Sequence, residues 1–284
     1  MSDDFSGLTG LARKSPPWMN DLDAPGRLIQ TLHAYLALCL GLGVLALMCL
    51  LWTLIVPLLA VLLPRPVSRT IGRWTISRAF RAYLGFLTWM GALRVDLSAL
   101  DELIGPPLIL APNHPGLLDA VLILSRLPRL SCVVKAELLH NPWLGAGARL
   151  AGYIGNASQH GMIRTAVAEL QSGAPLLLFP EGTRTLRPPV NPFRNSLALI
   201  AKKARAPIQT ILIETDSPFL GKGWPWLRRP DLPIVIHVRL GERFPPPAEV
   251  REATLDLQRY FETELRSPGP ATRMAARPVM ASRP

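Results

Sequence analysis

Between Leu28 and Leu63 the chain contains no Asp, Glu, Lys or Arg. A gap of that length excludes a surface loop and an ordinary amphipathic helix, both of which need charge on a wet side. About 20 apolar residues suffice to cross a bilayer, and this run is longer. A cleaved signal peptide is not expected, because its apolar part would be shorter and nearer Met1. Cysteine is scarce as well, at three residues in 284. Cys39 and Cys49 lie in the apolar run and Cys132 in a predicted buried strand. No even set supports a disulfide framework and no Cys/His spacing matches a zinc site, so a reducing compartment is the simpler reading. Acidic side chains are outnumbered, 20 against 31 Lys and Arg, for a formal charge of +11. That excess points to an anionic partner, either lipid headgroups or nucleic acid. No internal repeat is present.

What is there is strongly apolar: 49% hydrophobic residues and a mean hydropathy of +0.24. Residues 1–27 lack periodicity and read as a flexible tail. Residues 28–64 form the membrane segment, as one tilted helix or as a re-entrant hairpin broken at Gly41-Leu42-Gly43 or Pro57. Arg65, Arg69, Arg73, Arg78 and Arg81 follow it, whereas Asp3, Asp4, Asp21 and Asp23 precede it. The positive-inside rule then puts the C-terminal part in the cytoplasm. Over 65–95 these arginines interleave with Trp74, Phe80, Tyr83, Phe86 and Trp89, as in a helix lying at headgroup level.

Residues 96–266 alternate apolar runs with helical patterns, which predicts an α/β domain: a layered mixed sheet flanked by helices. Strands are expected at Leu108–Ala111, Leu130–Val134, Leu176–Phe179, Ile208–Ile213 and Ile234–Val238. Helices are expected at Leu117–Ser125, around Trp143–Ala151, and at Ile163–Gln171, Ser196–Ala204 and Ala248–Arg266. Residues 267–284, rich in Pro, Arg and Ala, read as a disordered basic tail.

Two segments carry chemistry. In Asn113-His114-Pro115-Gly116-Leu117-Leu118-Asp119 an imidazole precedes a carboxylate by five positions, a general base with an orienting partner. Five residues of regular helix turn through about 500°, so the two can meet only if His114 sits in the turn before the helix. Pro115-Gly116 suits such a turn. The competing reading is a helix-capping histidine with Asp119 as a dipole partner. The second segment, Phe179-Pro180-Glu181-Gly182-Thr183-Arg184-Thr185, places a carboxylate, a small-residue turn and a guanidinium after an apolar run. A guanidinium binds phosphate through two parallel hydrogen bonds.

His-x4-Asp followed about sixty residues later by Phe-Pro-Glu-Gly-Thr-Arg resembles the glycerolipid acyltransferase family, best known for lysophosphatidic acid acyltransferases. The resemblance covers roughly residues 105–245. It implies the glycerolipid acyltransferase fold, with His114 as base, Asp119 as its partner and Asn113 fixing the turn beside the substrate. Glu181, Gly182, Thr183 and Arg184 would bind the acceptor, with Arg184 on its phosphate. Lys135, in Val134-Lys135-Ala136-Glu137-Leu138, matches the family's lysine segment; it or its amide would stabilise the oxyanion. The implied activity moves a fatty acyl group from acyl-CoA or acyl carrier protein to a lysophospholipid hydroxyl, most often 1-acyl-glycerol-3-phosphate. The expected location is a bacterial inner membrane, with membrane lipids and the two substrates as partners and no nucleic acid. No metal or bound cofactor is implied, the thioester being a substrate.

The chain departs from the family in places. The stretch matching the second motif, Gly152-Tyr153-Ile154-Gly155-Asn156-Ala157-Ser158, lacks the arginine that binds glycerol phosphate. Thr210 stands near the usual fourth-motif proline, and Phe193-Arg194-Asn195-Ser196 ends without the usual glycine. Thr215–Trp226 is an aromatic and basic insert that resembles acyltransferases of aryl-polyene-type lipid assembly. These departures keep a different acceptor open, without glycerol phosphate or of polyene type. Outside catalysis, the rival is a membrane-tethered protein that binds anionic lipid or nucleic acid through charge alone.

Overall fold

The computed structural model describes residues 24–103, 107–143, 145–215, 217–225 and 228–266. Most of the expected N-terminal tail, and all of the tail from 267, lie outside them. Among the described residues seven strands form one sheet, in the order β1 (Leu93–Asp96), β7 (Ile234–Phe244), β6 (Ile208–Thr215), β2 (Ile109–Pro112), β5 (Leu176–Leu177), β3 (Ser131–Val134) and β4 (Ile154–Gly155). Every neighbouring pair is parallel except β6 with β7. The expected mixed α/β sheet is therefore present. β1 and β4 extend it beyond the five strands expected from the sequence.

Alternation along the strands sorts side chains to two faces. Leu108 and Leu110 join one core with Tyr83, Leu84 and Leu87 of α2 (Arg65–Trp89) and Leu122 and Ile123 of α3 (Asp119–Arg126). Ile109 and Ala111 join the other, with Met162 and Ala166 of α6 (Gln159–Gln171), Leu197 and Ile200 of α7 (Ser196–Ala204), and Leu257 and Phe261 of α8 (Val250–Arg266). Each such buried side chain contributes about 1.5–3 kcal/mol. The helices begin and end where local chemistry dictates. Ser158 Oγ accepts the Gly161 N–H at 3.3 Å and caps α6, whose first amides have no helical partner. In α8, Thr254, Leu257 and Phe261 recur on the one buried stripe of an otherwise charged helix.

Helix α1 (Ala24–Leu62) runs unbroken for 39 residues, roughly 58 Å at the helical rise. Gly41, Gly43 and Pro57 do not interrupt it, so of the two geometries open for 28–64 the single helix is the one present and the hairpin does not form. The chain reverses only at Leu63–Pro64, where α2 opens on Arg65-Pro66, a proline position that suits a helix start. Pro25–Leu62 is long and apolar enough to cross a membrane. One narrow stripe of α1 docks on the α/β layers: Gly41 lies against Leu87 and Tyr83 of α2, while Val56, Trp52 and Leu59 cluster with Ala146 and Leu150 of α5 (Gly145–Leu150). The Trp52 ring fills the place where a side chain on Gly147 would stand. The opposite surface presents Leu28, Leu32, Leu36, Leu47, Leu54 and Leu58 to the outside.

Several arginines expected at headgroup level are engaged within the protein. Arg73 donates to Glu169 of α6 at 2.8 Å and to the Ala151 carbonyl at 2.8 Å. Arg69 reaches the other oxygen of Glu169 at 3.1 Å, and Arg81 donates to the Ser125 carbonyl at 3.3 Å. Arg78 lies over the Trp74 ring, 5.0 Å from its centre. These contacts stitch α2 across the sheet end rather than leaving its charge free.

Phe261 is fully buried and meets Phe193 edge-on at 5.4 Å. Replacing it by Ala is expected to cost about 3–5 kcal/mol, read as a lower denaturation midpoint of the detergent-solubilised protein. A midpoint within experimental error of wild type would show that α8 is not part of the cooperative core.

Candidate active site

The parallel register brings the two motifs together. Leu110 of β2 lies opposite Leu177 of β5, and from each of these the chain runs four residues further, to His114 and to Glu181 respectively. Those residues therefore emerge level with one another at the carboxyl ends of adjacent strands, the end at which open α/β sheets place ligands. The His114 N–H donates to Glu181 Oε1 at 3.0 Å, and the Thr185 N–H donates to the His114 carbonyl at 2.7 Å. On the other side Asn113 extends the ladder to β6. Its Nδ2 donates to the Ile213 carbonyl at 2.9 Å, and its Oδ1 accepts the Ile213 N–H at 2.8 Å. Asn113 is buried, with both ends of its amide committed to backbone. It holds the turn to β6.

His114 occupies the turn ahead of α3, and Asp119 is the helix's first residue. The 500° problem disappears because the segment between them is not helical. Nδ1 lies 2.7 Å from Asp119 Oδ2, which also accepts the Gly116 N–H at 2.8 Å. An oxygen already accepting from an amide stays an acceptor, so in the neutral ring Nδ1 carries the proton and Nε2 the lone pair. Phe179 stacks on the imidazole with ring centres 3.9 Å apart and planes at 24°, which fixes the ring's plane. The imidazole side chain is 17% exposed and the carboxylate 3%. Burial pushes the Asp119 carboxyl above the ordinary value, opposed by the bond from His114, its charge, the Gly116 amide and the charge of Arg184.

Glu181 is buried and collects donors from three places. Besides the His114 amide, Thr185 Oγ1 donates at 2.9 Å and the Asn191 N–H at 2.8 Å. Burial raises its carboxyl above the usual range, while the bonds from Asn191, Thr185 and His114 oppose the shift. Asn191 then spans the following loop: Oδ1 accepts the Leu186 N–H at 3.0 Å and Nδ2 donates to the Arg184 carbonyl at 3.1 Å. Gly182 has φ +67°, and a side chain there would run into Arg194, so glycine is required at this turn.

The remaining expected residues are placed less centrally. Arg184 Nη1 donates to the carbonyls of Leu220 and Gly221 at 2.8 and 3.1 Å. Thr183 is half-buried beside the same turn. Lys135 is exposed at the end of β3 and precedes α4 (Ala136–His140). It lies two strands from β2, about 10 Å by strand spacing. Asn156, in the stretch without arginine, accepts the Ala136 amide at 3.0 Å. Sequence reasoning missed Asn191 altogether and read Thr185 and Phe179 only as parts of a motif. For Thr185 a signal existed, a hydroxyl four residues beyond a buried carboxylate. Asn191 carried none, because its partners are chiefly backbone atoms of a loop whose path is not legible in sequence.

Two outcomes follow from the carboxylates. Glu181→Ala strands three donors and is expected to cost about 1–3 kcal/mol for each one left dry, measured by denaturant unfolding; Glu181→Gln, which keeps an acceptor, should cost less. For Asp119 the folded pKa lies above the ordinary one, so the folded state binds more protons in that window. Its contribution to stability is full below the unfolded value, near 3.8, and is lost as pH rises through the folded value. Asp119→Asn is therefore expected to unfold at the same or a higher temperature at neutral pH, and the difference should vanish in acid. A clear loss of stability at neutral pH would contradict this account of the pair.

A family model described as Acyltransferase matches residues 94–214, a span that contains both motifs. The crystal structure of the 1-acyl-sn-glycerophosphate (LPA) acyltransferase PlsC from Thermotoga maritima is similar to this chain at a TM-score of 0.62 and 21% identity, covering 88% of this chain and 98% of that one. At that identity the likeness speaks for the fold. No curated protein shows significant similarity to the chain. Residues 94–214, which carry both motifs, therefore match the Acyltransferase family model, and the sheet that seats them has the fold of that acyltransferase structure.

Proposed function

We propose that the protein is a membrane-anchored O-acyltransferase that moves a fatty acyl group from the thioester of acyl-CoA or acyl carrier protein to the hydroxyl of a lysophospholipid. The observation that carries this reading is the His114–Asp119 pair, with Nδ1 held at 2.7 Å by a buried carboxylate. His114 Nε2 takes the proton of the acceptor hydroxyl as its oxygen attacks the thioester carbonyl. The tetrahedral oxyanion then re-forms its carbonyl and expels the thiolate, which recovers the proton from the imidazolium. Asp119 holds the ring in one tautomer and stabilises its charged form while the proton is in transit. The exposed apolar side of α1 supports the membrane anchor, since it would otherwise face water along most of its length.

1-Acyl-glycerol-3-phosphate is the first acceptor to consider, on the resemblance of the motifs. Two observations favour an acceptor without glycerol phosphate as the second reading. Gly152–Ser158 supplies no arginine, and Arg184 already donates to two carbonyls.

The test is thiol release by the purified protein in lipid vesicles, with a long-chain acyl thioester and a panel of lyso-lipids. His114→Ala is expected to lower release on the order of 10²–10⁴-fold while the protein stays folded and vesicle-bound. Release by that variant close to wild type would remove the basis of the proposal.

A further inference from the structure

Antiparallel neighbours such as β6 and β7 are ordinarily joined by two to five residues. Here Thr215 pairs with Ile236, yet β7 begins only at Ile234, after a connection spanning 216–233. That excess contains the aromatic and basic insert, and residues 217–225 do not extend away from the molecule. They fold back across the turn that carries His114. The Leu220 carbonyl accepts the Leu117 N–H at 3.2 Å and Arg184 Nη1 at 2.8 Å, and the Gly221 carbonyl accepts Nη1 again at 3.1 Å. Leu220 holds φ +58°, a left-handed conformation that a branched side chain adopts only when its surroundings impose it. The side chains of Phe219 and Leu220 pack against the core beneath. Phe219 meets Trp224 edge-on at 5.8 Å, and Arg228 covers the Trp224 ring at 4.9 Å. The segment is a braced strap, latched by the one guanidinium expected to read an acceptor phosphate.

We propose that this strap is the acceptor-selecting element of the site, and that it selects against phosphomonoester head groups. The inference rests on the acyl-transfer reading above, but takes the second acceptor reading over the first and narrows it to acceptors without a phosphomonoester. Two carbonyl oxygens occupy the Nη1 edge of Arg184. A terminal phosphate, carrying up to two charges, that uses Nη1 must displace them, and one on the remaining edge of the fork meets a guanidinium whose third nitrogen is already spent on the strap. A lyso-lipid whose phosphate is esterified on both sides, or one without phosphate, makes no such demand on Arg184. The strap thereby changes the use of a guanidinium that the family motif retains.

The experiment compares kcat/KM for a lysophosphatidic acid and for a lysophosphatidylcholine of the same chain length, using the full-length protein in vesicles with a long-chain acyl thioester. In one variant residues 218–223 become a glycine–serine linker of equal length, which removes the Phe219 and Leu220 anchors. In a second, Phe219→Ala is combined with Trp224→Ala, and it carries the comparison if the first does not fold. Loosening the strap is expected to move the ratio about tenfold or more toward the phosphomonoester, the scale of one charge-assisted hydrogen bond regained. A general folding defect lowers both rates and leaves the ratio alone. An unchanged ratio in active variants, or one shifted the other way, overturns the strap's role. Failure of the wild type to acylate any lyso-lipid would instead overturn the proposed function on which it rests.

Discussion

The carboxylate of Glu181 holds two strand ends and a loop in one place. Parallel strands stop sharing hydrogen bonds where their ladders end, and the segments beyond are free to diverge. Here the segments after β2 and β5 are joined again by one buried side chain, which accepts from the His114 amide, the Thr185 hydroxyl and the Asn191 amide. Without those donors a charge in that position would be costly to bury; with them it is a fixed point. The imidazole's position, the path of the Arg184 loop and the level of Asp119 follow from it. Asn113 does the same on the β6 side with a neutral amide. The turn bearing His114 is thus pinned from both neighbours before any substrate arrives.

How much of this is legible in sequence depends on how local each contact is. The meeting of His114 and Asp119 was legible, because helix geometry permits a five-residue pair only when the first member precedes the helix. The five apolar runs were legible as strands because each is long enough to show its own pattern. β4, with two residues, carries no pattern of its own and exists only by pairing with β3. The glycine at 116 was expected to serve a tight bend. Yet a side chain there would meet Asp119 Oδ1 and the Phe219 carbonyl at ordinary distances, 3.6 and 3.7 Å, and the turn relies on the Asp119 carboxylate instead. The destination of Arg184 was the least legible of all. Its partners are carbonyls of a segment thirty-six residues on, and carbonyls leave no mark in an amino-acid pattern.

Charge in α2 gives a similar lesson. A basic and aromatic rhythm beside an apolar helix reads as contact with lipid headgroups, and part of it is engaged inside the fold. Arg73 is largely buried and shares Glu169 with Arg69, so two positive charges and one negative charge form a cross-link between α2 and α6. Arginine suits that use because its flat fork reaches a carboxylate and a carbonyl together. The formal charge of +11 therefore overstates what this face offers to an outside anion. Trp74 and Trp89 remain exposed on the same helix.

The close seating of α1 has a mechanical consequence. Small residues at Gly41 and Gly147 let Leu87 and Trp52 press into the contact from opposite partners, leaving little slack between the long helix and the layers behind it. On the proposed reading, lipid that grips α1 sets both the height and the inclination of the whole sheet, with no flexible tether between. The imidazole then works at one depth relative to the acyl chains, and a bilayer of different thickness would present its substrates to this enzyme at the wrong level.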